Sequence, residues 1–166
     1  MYKKLTVNGL SDKNLKSAIK ELREYQRWVE KKEAELRTRL ASLGATVASI
    51  EFARAIYNGE NDISVRVDNT GSVAVIYAEG DAVAFIEFGS GHRYGYGYPQ
   101  DKIQGFGPGT WSDGDEGKGH WQSTRGWWYG KGQHSYGNPP AMAMYKAVQA
   151  MTEDLTRIAK EVFASD

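Results

Sequence analysis

Ser11–Leu43, SDKNLKSAIKELREYQRWVEKKEAELRTRLASL, is the stretch whose periodicity decides the architecture. Leu15, Leu22, Val29, Leu36 and Leu43 recur every seven residues, with Ile19, Tyr25 and Leu40 on adjoining positions. That spacing predicts one apolar stripe on a helix of about 30 residues. Ser11 ahead of Asp12 supplies an N-cap with an acidic residue in the first turn. Gln26 and Glu33 fall where a second apolar seam would run, so the pattern does not sustain a coiled coil. The expectation is a helix lying on a sheet or on a neighbouring subunit, with Leu22 on its buried side. Gly44 is expected to end or kink it. A second helical stretch, with Val47, Ile50, Ala53 and Tyr57 on one face, should stop at Asn58-Gly59.

Beyond this helical part (1–57) the period changes. Ile63, Val65 and Val67 alternate with Ser64 and Arg66, the pattern of a half-buried strand. Asp68-Asn69-Thr70-Gly71 is turn chemistry, and Ser72 to Ala78 returns, which predicts an antiparallel hairpin. AVAFIEFGSG (82–91) suits a short helix ended by Gly89, although its β-branched and aromatic residues also suit a strand; the helix is preferred. Together these make the second part, 58–88. The third, 89–137, holds 14 of the 19 glycines, all three histidines and every tryptophan except Trp28. Glycine-rich chains do not build a conventional core, whereas Trp and Tyr carry much of the contact energy of interfaces. The segment reads as an arm with Trp111, Trp121, Trp127, Trp128, Tyr129 and Tyr136 as interface anchors, mobile in the free subunit and ordered against neighbours. GHWQSTRGWWYGKGQHSYG (119–137) can form a hairpin turning near Ser123–Gly126. In the last part, 138–166, Pro139 and Pro140 should start a helix. Met144, Val148, Met151, Leu155, Ile158 and Val162 form its apolar face. The fold class is therefore α+β. A long N-terminal and an amphipathic C-terminal helix pack on a small antiparallel sheet, in one domain spanning 1–166.

The totals narrow the function. Lys plus Arg equals Asp plus Glu, so no basic footprint of a nucleic-acid binder exists, and little self-repulsion opposes association. The chain has no cysteine, which removes disulfides, thiol catalysis and thiolate metal sites. The opening MYKKLTVNGL lacks an apolar core after its lysines, and apolar runs such as Ala82–Ile86 stay far below the length of a membrane helix, so neither a signal peptide nor a membrane span is expected. His92, His120 and His134 lie near Asp113, Asp115 and Glu116, but no pair has H-x-x-x-H spacing, and stacking or exposed histidines are the simpler reading. Gly89-Ser90-Gly91 lacks the spacing of a nucleophile elbow, and the glycines at 105, 107 and 109 are not followed by Lys-Ser/Thr. Asp113 and Asp115 beside Trp111 and Trp121 suggest glycoside hydrolysis, yet a polar loop does not raise a carboxyl pKa by burial. No enzyme, cofactor or metal is expected. The serious rival is a carbohydrate- or peptidoglycan-binding module stacking sugars on the Trp/Tyr segment, against which stand the helices at both ends.

The order of parts, with Phe85-Ile86-Glu87-Phe88-Gly89-Ser90-Gly91 followed by Gly137-Asn138-Pro139-Pro140 and Ala141-Met142-Ala143-Met144-Tyr145, resembles the tail-completion, or minor neck, protein family of long-tailed bacteriophages. EGKGHW (116–121) with GWWYGKG (126–132) is similar to the subset found in phages of Gram-positive hosts. The likeness runs over roughly residues 10–163. Ser90 stands where threonine is commoner. The resemblance implies a structural virion protein of the neck or tail top, made in the host cytoplasm, that completes the tail and joins head to tail. It implies a ring of copies, six-fold by expectation, contacts with neighbouring neck and tail proteins, and DNA passing through the lumen without sequence-specific contact. It implies no membrane partner. Glu87 and Gly89 would then shape the turn leaving the core, Pro139 and Pro140 would start the last helix, Gly91 and Met144 would belong to the same structural motif, and the aromatics would bind neighbours.

Overall fold

A computed structural model describes residues 11–57, 60–90, 118–119, 125–129 and 133–165. The architecture is α+β. Helix α1 spans Asp12–Arg54, strands β1 Ser64–Asp68 and β2 Val75–Glu79 form a hairpin, and α2 covers Val83–Phe88. Strands β3 Lys118–Gly119, β4 Trp127–Tyr129 and β5 Gln133–Ser135 follow, and α3 runs over Ala143–Ala164.

The capping expectation holds: the Ser11 side chain accepts from the Asn14 N–H at 3.3 Å, and the Ser11 carbonyl from the Leu15 N–H at 3.0 Å. Gly44 does not end the helix. It is buried where α3 and β2 close on α1, and a Cβ there would sit 2.6 Å from both Met151 Sδ and Ile76 Cδ1. The absent side chain permits that approach, and the roughly 1 kcal/mol of lost helix propensity is absorbed in a helix of 43 residues. The two predicted helices are therefore one. Its end comes before Asn58-Gly59, at extended Ala55, where the Asn61 amide donates to the Phe52 carbonyl at 2.9 Å. The buried face is Ala41, Gly44, Ala48 and Phe52, not Val47, Ile50, Ala53 and Tyr57; Ile50 and Ala53 are exposed. Small residues line this face at Ala41, Gly44 and Ala48, with Met151 of α3 against Gly44 and Ala143 and Ala147 in one core cluster with Ala48 and Phe52, and close contact rather than side-chain size selects the face.

The hairpin pairs Ser64 with Glu79 through Asp68 with Val75, so the returning strand begins at Val75 rather than Ser72. Residues 69–74 are a loop anchored to α1. Arg37 donates to the carbonyls of Ser72 (2.7 Å) and Gly71 (3.0 Å), and Asn69 donates to Thr38 Oγ1. Inside the loop Asp68 accepts from the Thr70 N–H at 3.0 Å and hydroxyl at 2.7 Å, and these bonds hold its carboxyl below the ordinary range. Gly71, at φ 78°, takes the left-handed conformation this turn needs.

AVAFIEF folds as helix, as preferred. The core gathers Ala48, Phe52, Ala82, Ile86, Ala143 and Ala147, with Val65, Ala78 and Tyr57 among the half-buried side chains around it. At the other end of α3, Ile158 and Val162 are buried on α1, Trp28 meets Phe163 edge-on at 5.8 Å, and buried Lys32 donates to the Ser165 carbonyl at 2.5 Å and hydroxyl at 2.9 Å. The α3 helix is about 33 Å long against about 64 Å for α1, at 1.5 Å per residue. Since Phe163 near the end of α3 meets Trp28, residues 12–27 of α1 lie beyond it.

Among the described residues, β3, β4 and β5 make an antiparallel three-stranded sheet in that order. The β3–β4 pair, Lys118 with Trp128 and Gly119 with Trp127, is the hairpin expected around Ser123–Gly126. Gly126, at φ 72°, backs onto the Ser135 carbonyl so closely that no Cβ fits.

Candidate functional site

Two features other than the core stand out: a polar joint where distant motifs meet, and apolar helix faces with nothing packed on them.

The joint forms where α2 ends and α3 begins. A helix leaves its last carbonyls and first N–H groups without internal partners, and here the two ends serve each other. The carbonyls of Ile86 and Glu87 accept from the N–H groups of Ala141 (2.8 Å) and Met142 (3.1 Å). The buried Glu87 carboxylate accepts from the N–H groups of Met144 (3.0 Å) and Tyr145 (3.2 Å), placing negative charge at the positive end of α3. Asn138, also buried, donates from its amide to the Phe85 carbonyl at 2.8 Å, and the Ser90 hydroxyl donates to Asn138 Oδ1. Ser90 and Asn138 additionally exchange backbone hydrogen bonds at 3.0 and 3.2 Å. Gly89 turns the chain at φ 76°, and a Cβ there would fall 2.8 Å from Pro140 N and 2.9 Å from the Asn138 carbonyl. The two ends of the glycine-rich segment are thus pinned together at its base.

The structure brings Glu87, Gly89, Pro139, Pro140 and Met144 into this joint. The prolines, however, do not start α3. They form its extended approach, and the helix begins at Ala143 after Met142, whose φ of 54° is left-handed although it is not glycine. That turn redirects the chain so that the N–H groups of 144 and 145 face Glu87. Asn138 and Ser90 are the joint residues whose pairing sequence reasoning missed. Both lie inside quoted motifs, but nothing in spacing says that positions 90 and 138 are partners.

Gly91, Trp111 and Trp121, and with them most of the proposed mobile arm, lie outside the described residues. Trp127, Trp128 and Tyr129 form β4, and exposed Tyr136 stacks edge-on against His134 at 4.6 Å. Among the described residues no group of three or more His, Cys, Asp or Glu is placed to hold a metal, and no helix is long and apolar enough to cross a membrane.

The apolar faces depart from expectation. Leu15, Ile19 and Leu22 are 41%, 48% and 52% exposed, because α3 ends near Trp28 and covers nothing nearer the N-terminus. On α3, Val148 and Leu155 are 56% and 43% exposed, since only the Ala143, Ala147, Ile158 and Val162 side meets α1. Leu22 and Leu155, both expected in the core, are surface residues of the isolated chain.

Comparison of the chain with protein-family profiles, with curated proteins and with solved structures finds no match.

Proposed function

We propose that this chain is a structural subunit of a phage neck or tail top that completes the tail and joins it to the head, working by ring assembly with copies of itself. The observation that carries the reading is the pair of uncovered apolar stripes: Leu15, Ile19 and Leu22 on α1, Val148 and Leu155 on α3. Contiguous exposed apolar faces of this kind are characteristic of association surfaces. Zero net charge leaves little long-range repulsion between copies. The order of parts and the pairing of the IEFGS and GNPP motifs at one joint fit the resemblance to tail-completion proteins. On this reading the ring, six-fold by expectation, encloses a channel for DNA and contacts neck and tail proteins on its two faces. The joint and the aromatic segment are structural and adhesive rather than catalytic.

The test is the mass and shape of the purified protein. Light scattering should give a multiple of the chain mass, and electron-microscopic class averages should show closed rings with a central channel. A protein that stays monomeric at all concentrations, and whose tryptophan fluorescence saturates with soluble peptidoglycan fragments, would move the reading to a carbohydrate-binding module.

A further inference from the structure

The uncovered segment of α1, residues 12–27, carries a second stripe beside the apolar one. Lys16, Lys20, Arg23 and Arg27 recur at helical spacing on the flank of Leu15, Ile19 and Leu22, and all four are exposed. Their charge is little spent within the helix: Lys20 reaches Glu24 only at 4.0 Å, and Arg27 Nε donates to the Arg23 carbonyl at 3.4 Å. Charge of the opposite sign collects on the β1–β2 hairpin and its flanks. Residues 60–82 hold Glu60, Asp62, Asp68, Glu79 and Asp81, all exposed, against one cation, Arg66, which is already paired with Glu79. The same hairpin exposes Val73 and Val75, and the register places Val75 on the outer face with Asp68 and Glu79, away from the face that Val65 and Ala78 turn to the core.

The two surfaces are opposite in charge, and the hairpin strands, about 17 Å long, can lie along most of the about 24 Å of helix that residues 12–27 span. They do not meet within one chain. The hairpin is tied to α1 at Arg37, Thr38 and Gly44, and α1 is one unbroken helix, so its first turns point away from their own hairpin.

We propose that residues 12–27 of α1 in one copy dock on the outer face of the β1–β2 hairpin of the next copy, the leucine and isoleucine side chains over Val73 and Val75 and the Lys/Arg row toward the carboxylates. The contact joins two different patches, so it propagates head to tail and closes into a ring when the rotation allows. This deepens the ring reading and rests on it. Buried apolar area supplies the attraction, while the charges set which patch meets which.

Two charge-reversed variants test it. One carries Lys16→Glu, Lys20→Glu and Arg23→Glu; the other carries Glu60→Lys, Glu79→Lys and Asp81→Lys, leaving Asp62 and Asp68 to hold their turns. Circular dichroism confirms that each is folded, and light scattering reads its assembly. Each alone should associate at least about tenfold more weakly than the parent, since like charges then oppose across the contact. An equimolar mixture should regain the parent's mass, because each reversed helix then finds a reversed hairpin. Parent association should also weaken between low and high salt. Parent-like assembly by either variant alone, or a mixture that stays dissociated, overturns the docking while leaving the ring reading intact. A parent that is monomeric throughout overturns both.

Discussion

Leu15 and Leu36 occupy equivalent positions of one seven-residue repeat on one unbroken helix, yet α1 around them has two different surroundings. From Trp28 onward the helix is lined by α3 and the hairpin, with Ala41, Gly44, Ala48 and Phe52 buried; from residue 12 to 27 the same repeat faces outward. The contrast teaches that periodicity fixes which face of a helix is sticky and says nothing about which partner covers it. Where the covering element is too short, the stripe is left for something else. Burial in the covered half follows small residues rather than large ones, because two helices approach over Ala and Gly.

The largest effect expected separates the halves directly. Phe52→Ala should lower stability in urea by about 3–5 kcal/mol, the range for removing a buried aromatic. Leu22→Ala in the dissociated chain should change it by less than about 1 kcal/mol, as exposed positions do. Equal losses would mean that the free half of α1 is covered within the monomer. Next comes the joint. Glu87→Ala strands the N–H groups of Met144 and Tyr145 in a buried site and should cost roughly 2–4 kcal/mol, with Glu87→Gln losing less because one oxygen can still accept. Indifference to Glu87→Ala would show that α3 is not held by its N-terminus.

Gly44→Ala sharpens the comparison by setting propensity against packing. In an exposed helix the change gains about 1 kcal/mol. At position 44 the new methyl meets the flexible ends of Met151 and Ile76, which must shift to admit it. The gain of an exposed site should therefore be cancelled, leaving stability within about 1 kcal/mol of the parent, and a loss of more than about 3 kcal/mol would mean that neither side chain can move aside. The smallest effect is one of pH. Asp62 accepts from the N–H groups of Asp81 (2.7 Å) and Ala82 (3.2 Å), and these bonds hold its carboxyl below the ordinary value. A depressed folded pKa means that the contribution is fully present above the unfolded value of about 3.9. It is lost as pH falls through the folded value. Asp62→Asn should therefore destabilise slightly at pH 6 and converge on the parent in acid. A difference that grows below pH 4 would contradict the assignment.

Much of the fold was legible because local rules sufficed. Ser11 as a cap, the β1–β2 hairpin and a helix ended by Gly89 each depend on residues a few positions apart. Gly44 was misread for the opposite reason: whether a glycine breaks a helix or admits a neighbour is decided by Met151 and Ile76, distant in sequence. The prolines were misread because the approach to α3 is set by Met142 and by the reach of Glu87 across the joint, not by proline's fitness for a first turn. The joint itself was half legible. Its motifs were visible, while the Ser90–Asn138 pairing was not. Leu22 and Leu155 show the remaining limit, since a correct stripe was assigned to a core that does not extend so far.

Hydrogen exchange along α1, in dissociated and in assembled protein, tests the central claim that residues 12–27 are an interface between copies. In the dissociated chain, amides of residues 12–27 should exchange fast and those of 40–54 slowly, because only the latter lie under packed side chains. On assembly the first group should slow by at least about tenfold while the second changes little. Unchanged fast exchange at 12–27 in a demonstrated ring would contradict the account, and would leave the exposed stripe with no role in joining copies.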